Sequence, residues 1–115
     1  MAKIKIQGNQ KLRLHGTVKI SGAKNAVLPA IAASLLTEEI IHLHNIPLVK
    51  DVFTILTLMR GLGAEYSLEE ESLTIQTKSI LSDEASYEHV RAMRASILVL
   101  GPLLARHGKA IVALP

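Results

Sequence analysis

The residues best placed to do chemistry are Lys24 and Asn25, inside the stretch "KISGAKNAVLPAIAASLL" that runs from Lys19 to Leu36. Ser21, Gly22 and Ala23 are small enough to let the backbone approach a ligand closely, and apolar residues fill most positions from Ala26 to Leu36. A strand, a small-residue turn and a helix in that order leave the first free N–H groups of the helix at the turn, where they favour an anion. Lys24 adds a full positive charge at that spot, and Asn25 an amide that both donates and accepts. The arrangement reads as a phosphate or carboxylate site. As a bare pattern it is unspecific, since a lysine near a helix start is usually solvated.

Other candidates are sparser. Arg91 and Arg94 lie three apart, so one helical face carries two guanidinium groups able to make forked contacts with phosphate or carboxylate, unless they are a surface pair beside Glu88. Ser96 has no base at a fixed spacing and reads as a helix-packing residue. His42 and His44 alternate with apolar residues, which fits one polar face of a strand better than metal ligation. There is no cysteine, so disulfides, thiolate metal sites and a cysteine nucleophile are excluded within these residues. Glycine-rich dinucleotide and P-loop motifs are absent, as is a paired-acid motif.

The elements that must position these residues follow from periodicity. Residues 2 to 7 and 11 to 20 alternate polar and apolar, which predicts two antiparallel strands joined at Gly8-Asn9. Ala26 to Leu36 predicts a helix buried on all sides, with Pro29 in its first turn. Glu39 to Asn45 is extended. Val52, Ile55, Leu56, Met59 and Leu62 recur at helical spacing, with Asp51 as the expected N-cap and Gly61 or Gly63 as the stop. Ala64 to Thr77 reads as a hairpin whose acidic tip, Glu69 to Glu71, is a solvated turn. Lys78 to Ser86 is a polar linker, Tyr87 to Ala105 a helix broken or bent at Gly101-Pro102, and Gly108 to Pro115 a last strand. A shift of 68 positions superposes Leu35 on Leu103, Leu36 on Leu104, Leu43 on Ile111, Ile46 on Leu114 and Pro47 on Pro115. That fits a structural unit starting a second time near Tyr87.

Size and charge narrow the class. A chain of 115 residues has room for one small domain or part of a larger one. Its hydrophobic fraction of 49% and mean hydropathy of +0.31 are high for a free-standing domain of this size, so some apolar surface expects a partner. No stretch approaches the roughly 20 apolar residues of a membrane span, and the N-terminus lacks the apolar core of a secretory signal; a cytoplasmic protein is expected, without a membrane partner. The net charge of +3 hides an asymmetry, with +6 in residues 1 to 37 and −3 in the rest. A basic lobe suits nucleic acid or a small polyanion such as a nucleotide or phosphorylated metabolite. Aromatic residues at 3% leave few rings for base stacking, which argues against a single-strand binder.

Taken together, Thr17 to Pro29 (TVKISGAKNAVLP), Asn45 to Val52 (NIPLVKDV), Leu62 to Ala64 (LGA) and Met93 to Gly108 (MRASILVLGPLLARHG), followed by VALP, closely resemble the beginning of the enolpyruvyl transferases that act on UDP-N-acetylglucosamine. The resemblance covers the whole chain in order. The sister enzymes of the shikimate pathway are the alternative; their first turn reads Gly-Ser-Lys-Ser where this chain has Gly-Ala-Lys-Asn, and their arginine follows Asn-Ala-Gly-Thr where this chain has Met93-Arg94-Ala95-Ser96. The resemblance implies an α/β (α+β) fold of inverse repeats with apolar helices packed inside sheets. Residues 1–20 would then be strands of a second domain, and residues 21–115 the first repeat of the first domain plus part of the next.

It further implies transfer of enolpyruvate from phosphoenolpyruvate to the 3-hydroxyl of UDP-N-acetylglucosamine with release of phosphate, the first committed step of bacterial peptidoglycan synthesis. Lys24 and Asn25 would contact phosphoenolpyruvate at the cleft, Arg94 would lie on the UDP-sugar side, and Arg91 is a weaker candidate. No metal or organic cofactor and no nucleic acid are implied. The family's general acid, a cysteine or an aspartate, is expected just past Pro115, so these 115 residues hold no catalytic residue and are expected to be inactive alone, completed by the remaining C-terminal part. Two readings from other classes stand beside this one: a self-contained nucleotide-binding or interaction module, and a structural piece that folds only beside a complementary chain.

Overall fold

The structure, a computed structural model, describes residues 2–85 and 94–113, and of residues 94–96 the backbone only. Helix α1 spans Lys24–Ala33 and runs on into a 3-10 turn, Ser34–Leu36. Strand β1 is Ile41–Leu43 and helix α2 is Lys50–Leu62. A hairpin follows, β2 at Glu65–Glu69 and β3 at Ser72–Gln76. Strand β4 (Glu84–Ala85), a 3-10 segment Arg94–Val99, helix α3 (Leu100–His107) and strand β5 (Ile111–Val112) complete the described order.

One antiparallel sheet has the order β1-β3-β2, with Leu43 opposite Leu73 and Tyr66 opposite Ile75. Period-two alternation in β3 sends Leu73 and Ile75 into the core and leaves Ser72 exposed, with Thr74 and Gln76 half-buried. On this polar side His42 Nδ1 lies 3.1 Å from Thr74 Oγ1, and His44 Nδ1 3.3 Å from Ser72 Oγ. The two histidines therefore behave as the polar face of a strand. Among the described residues no three potential ligands gather as a metal site. The short strands β4 and β5 form a separate parallel pair.

Helix α2 is amphipathic as its spacing requires: Val52, Ile55, Leu56, Met59 and Leu62 are buried, and Leu58 joins them. Each such side chain contributes about 2 kcal/mol on removal from water. The helix stops at Gly63, whose φ of 117° is left-handed backbone that suits glycine. Helix α1 crosses α2, burying Val27, Leu28, Ile31 and Ala32. The buried Ser34 hydroxyl donates to the Ile31 carbonyl at 2.6 Å, which satisfies it inside the core.

Several expectations are corrected. The helical run Ala26 to Leu36 is not buried on all sides: Ala26, Pro29, Ala33 and Leu36 are exposed, because α2 and the 3-10 segment Arg94–Val99 cover only part of α1. Pro29 is the sixth helical residue, since the helix begins at Lys24, and its missing N–H deprives the Asn25 carbonyl of a helical donor. The two strands expected in residues 2–20 do not form among the described residues; only a turn is made there, Leu12 N–H to Asn9 O at 3.1 Å. A strand needs a neighbour to bond its backbone, and this segment leaves Ile4, Ile6, Leu12, Leu14, Val18 and Ile20 exposed. Gly101-Pro102 coincides with a change of helix type in the last helical run and not with its end. It lies at the start of α3, where a proline needs no N–H, and the change from 3-10 to α-helix comes just before it. The expected helix start at Tyr87 and the superposed pairs ending at Leu114 and Pro115 lie outside the described residues. No helix among the described residues is long and apolar enough to cross a membrane.

Arg106 ties the C-terminal half to the first helix. Its guanidinium Nη1 donates to the Leu35 and Thr37 carbonyls at 2.9 and 3.0 Å, and Nη2 to the Lys78 carbonyl at 3.0 Å. The fork thereby satisfies carbonyls left over where the first helix ends. Replacing Arg106 by Ala is expected to lower unfolding free energy by about 2 kcal/mol, since hydrogen bonds to a charged group are lost together. Lysine, lacking the fork, should restore less than half. Urea unfolding of the 115-residue chain checks this, and an unchanged midpoint for Arg106→Ala would refute it.

Candidate functional site

The candidate site lies where α1 begins. Ala23 is the N-cap, with extended backbone (φ −91°, ψ 125°) and no side chain able to cap. The Ala26 and Val27 N–H groups bond to the Ala23 carbonyl at 3.1 and 3.0 Å, so those of Lys24 and Asn25 are left free of helical partners. Nothing in the first turn is acidic. The helix mouth thus keeps its partial positive charge for whatever anion arrives.

Lys24 does not stand there unpartnered. Its Nζ is 3.0 Å from Asp51 Oδ2, with the two side chains 49% and 33% exposed. Asp51 was expected to cap α2, but Val49 holds that place without a side-chain bond, and Asp51 lies in the first turn. A carboxylate there is favoured by the α2 dipole and is still free to reach sideways to Lys24. Both helices begin side by side because they share the apolar core described above. Asn25 is exposed next to Lys24.

Of the small residues before α1, Gly22 meets the protein itself. A side chain at Gly22 would collide with the Asn45 carbonyl and would lie 3.1 Å from Pro47 Cδ. Gly22 is therefore the point where the chain entering α1 passes against the turn leaving β1. Asn45 has left-handed backbone (φ 59°) and its side-chain amide reaches the Ile20 carbonyl at 3.5 Å. The neighbouring Ile46 N–H donates to the Glu71 carbonyl at 2.9 Å, and the Glu71 carboxylate meets Lys19 Nζ at 3.3 Å. One end of the acidic hairpin tip is thus an anchor for this crossing as well as a solvated turn. A cavity of about 250 Å³ opens beside it, along Ala23, Ala26 and Ala30 at the start of α1 and residues 43–46 where β1 ends.

Of the sequence-derived candidates, Lys24 and Asn25 stand together at the helix mouth. Arg94 opens the 3-10 segment that packs against α1, which brings its backbone to the same half of the fold. Arg91 lies outside the described residues. Asp51 was missed as a site residue because a helix-start aspartate already had a role as a cap; its partner is set by the crossing of two helices.

Residues 8–115 match the family described as EPSP synthase (3-phosphoshikimate 1-carboxyvinyltransferase). The whole chain is 50% identical to UDP-N-acetylglucosamine 1-carboxyvinyltransferase 2 of Carboxydothermus hydrogenoformans and 52% identical to UDP-N-acetylglucosamine 1-carboxyvinyltransferase of Acinetobacter guillouiae, in each case over 115 residues. It spans 27% of the length of each of these curated relatives. Among solved structures, the enolpyruvyl transferase NikO from Streptomyces tendae superposes with a TM-score of 0.73 at 23% identity, over 85% of this chain and 23% of that one. The likeness establishes a shared fold.

Gly22→Ala is expected to destabilise the chain by about 2 kcal/mol or more, because the new methyl group meets backbone that cannot yield without moving the α1 mouth. Gly61→Ala is the control: it lies within α2 with nothing within 4 Å, and should stabilise by about 0.5–1 kcal/mol. Chemical denaturation of both variants decides; equal midpoints would dismiss the crossing as a constraint.

Proposed function

We propose, from the premise that this chain belongs to the EPSP synthase (3-phosphoshikimate 1-carboxyvinyltransferase) family, that its residues supply part of the substrate site of an enolpyruvyl transferase acting on UDP-N-acetylglucosamine. The carrying observation is identity of 46–52% across all or nearly all of the chain to relatives bearing the name UDP-N-acetylglucosamine 1-carboxyvinyltransferase. It favours the UDP-sugar over shikimate 3-phosphate as acceptor. The reaction would place the protein in cytoplasmic peptidoglycan synthesis.

In this reading the Lys24 ammonium and the free N–H groups at the α1 mouth neutralise the phosphate and carboxylate of phosphoenolpyruvate. They hold that charge through the step in which phosphate departs. Asn25 orients the reacting partners with its amide, and Arg94 engages the UDP-sugar, with Arg91 a further cation on the same side. The sugar 3-hydroxyl gives up its proton as its oxygen bonds to C2 of phosphoenolpyruvate and C3 gains a proton; the C2–O bond to phosphate then breaks as C3 gives a proton back. The groups that move these protons are assigned to the part of the protein outside residues 1–115.

The same reading assigns residues 1–20 to sheet in a second domain, supported by their exposed aliphatic side chains and lack of strand partners here. Residues 21–115 would form a first repeat and part of a second, supported by the order helix then strand that occurs in 24–43 and again in 94–112.

In the full-length protein carrying this chain, Lys24→Ala is expected to raise KM for phosphoenolpyruvate at least about tenfold, the loss of one charge-assisted contact, while the protein stays folded because the residue lies outside the core. Arg94→Ala should weaken UDP-N-acetylglucosamine binding by a similar factor, measured by calorimetry. Undiminished affinities would remove these residues from the site. Residues 1–115 alone should release no phosphate from the two substrates; turnover by them would overturn the division of the site.

A further inference from the structure

The ion pair between Lys24 and Asp51 bears on how the helix mouth is kept ready for an anion. A lysine side chain ends on a flexible four-carbon stem and loses up to about 2 kcal/mol of rotamer entropy when immobilised. Left alone at a half-exposed position, its ammonium would sample many places, few of them over the free N–H groups of α1. Asp51 Oδ2, 3.0 Å away, pairs with the ammonium from one side and leaves the group half-exposed to a ligand. Asp51 is held in turn, being in the first turn of α2, where the dipole favours its charge, on a helix clamped to α1 through the shared core.

We propose that Asp51 is the positioning residue for the Lys24 ammonium: it holds that group at the mouth of α1 in the ligand-free protein and remains bonded to it when phosphoenolpyruvate is present. The inference rests on the substrate reading given above and adds to it a residue that acts only through Lys24. A carboxylate beside an anion site also repels the anion, so the sign of the effect is informative. Positioning predicts weaker substrate binding once Asp51 is neutralised. A counter-ion that the ligand must displace would predict tighter binding.

The test uses the full-length protein carrying this chain, with Asp51→Asn as an isosteric loss of charge and Asp51→Glu as the variant that keeps it. Asp51→Asn should raise KM for phosphoenolpyruvate about threefold to fivefold, the factor that corresponds to an exposed ion pair. KM for UDP-N-acetylglucosamine should stay within about twofold, and Asp51→Glu should stay nearer to wild type than Asp51→Asn. In a Lys24→Ala background, Asp51→Asn should add nothing, which a general structural role would not reproduce. A second readout needs no turnover: the rate of Lys24 acetylation by acetic anhydride, read by mass spectrometry with Lys50 as internal reference, should rise by a similar factor in Asp51→Asn.

If the wild type does not turn over but Lys24 reactivity rises in the variant, the substrate reading fails and the pairing stands. If the wild type turns over but KM for phosphoenolpyruvate is unchanged or lowered in Asp51→Asn, the positioning role fails and the substrate reading stands. Additive effects of the two substitutions, or unchanged Lys24 reactivity, overturn it as well.

Discussion

The crossing of α1 and α2 is the constraint on which the described half of the molecule depends. Two short helices, each with a stripe of aliphatic side chains, pack against one another in a core that also takes in Leu73 and Ile75 of the sheet. Their starts then fall next to each other. That coincidence of helix ends, a product of core packing, is what puts a lysine ammonium and an aspartate carboxylate 3.0 Å apart at the surface. The chemistry at the rim is thus held by apolar contacts beneath it.

The backbone leading into α1 is held as tightly as the helix. Gly22 passes so close to the Asn45 carbonyl that no side chain fits between them, and the 45–47 turn is itself bonded to the hairpin through Ile46 and Glu71. Upstream of this point the chain makes few contacts and exposes six aliphatic side chains in alternation. The boundary is abrupt: on one side every backbone direction is fixed by packing, on the other an amphipathic ribbon has no sheet to join. Ala26 and Ala33 of α1 and Leu36 of the 3-10 turn after it are exposed as well.

At the far end of α1, Arg106 gathers three carbonyls from two separate segments. Hydrogen-bond acceptors at a helix C-terminus must find donors, and here a side chain about seventy positions onward supplies two of them. A positively charged fork at one end and a free N–H mouth at the other leave α1 electrostatically complemented only where it touches protein. At the positive end, Lys24 and Asp51 pair beside N–H groups that have no helical partner.

What the chain determined by itself was everything carried by local periodicity and by family resemblance: the helical stripe of α2, the alternation of the β2–β3 hairpin, the polar histidine face of β1, and Lys24 with Asn25 at the start of a helix. These depend on neighbours within a few residues, so the pattern reports them directly. Only the tertiary structure decided what each local feature would touch. The alternation in residues 2–20 was read as two strands, yet alternation supplies a face and not a partner. Gly101-Pro102 reads as a break or a bend, and only its place in the first turn of α3 shows that the helical run changes type there without ending. Asp51 was read as a cap for its own helix and became the partner of a lysine on another, since distance across a helix crossing is set by side-chain volumes in the core and is not written in any one segment.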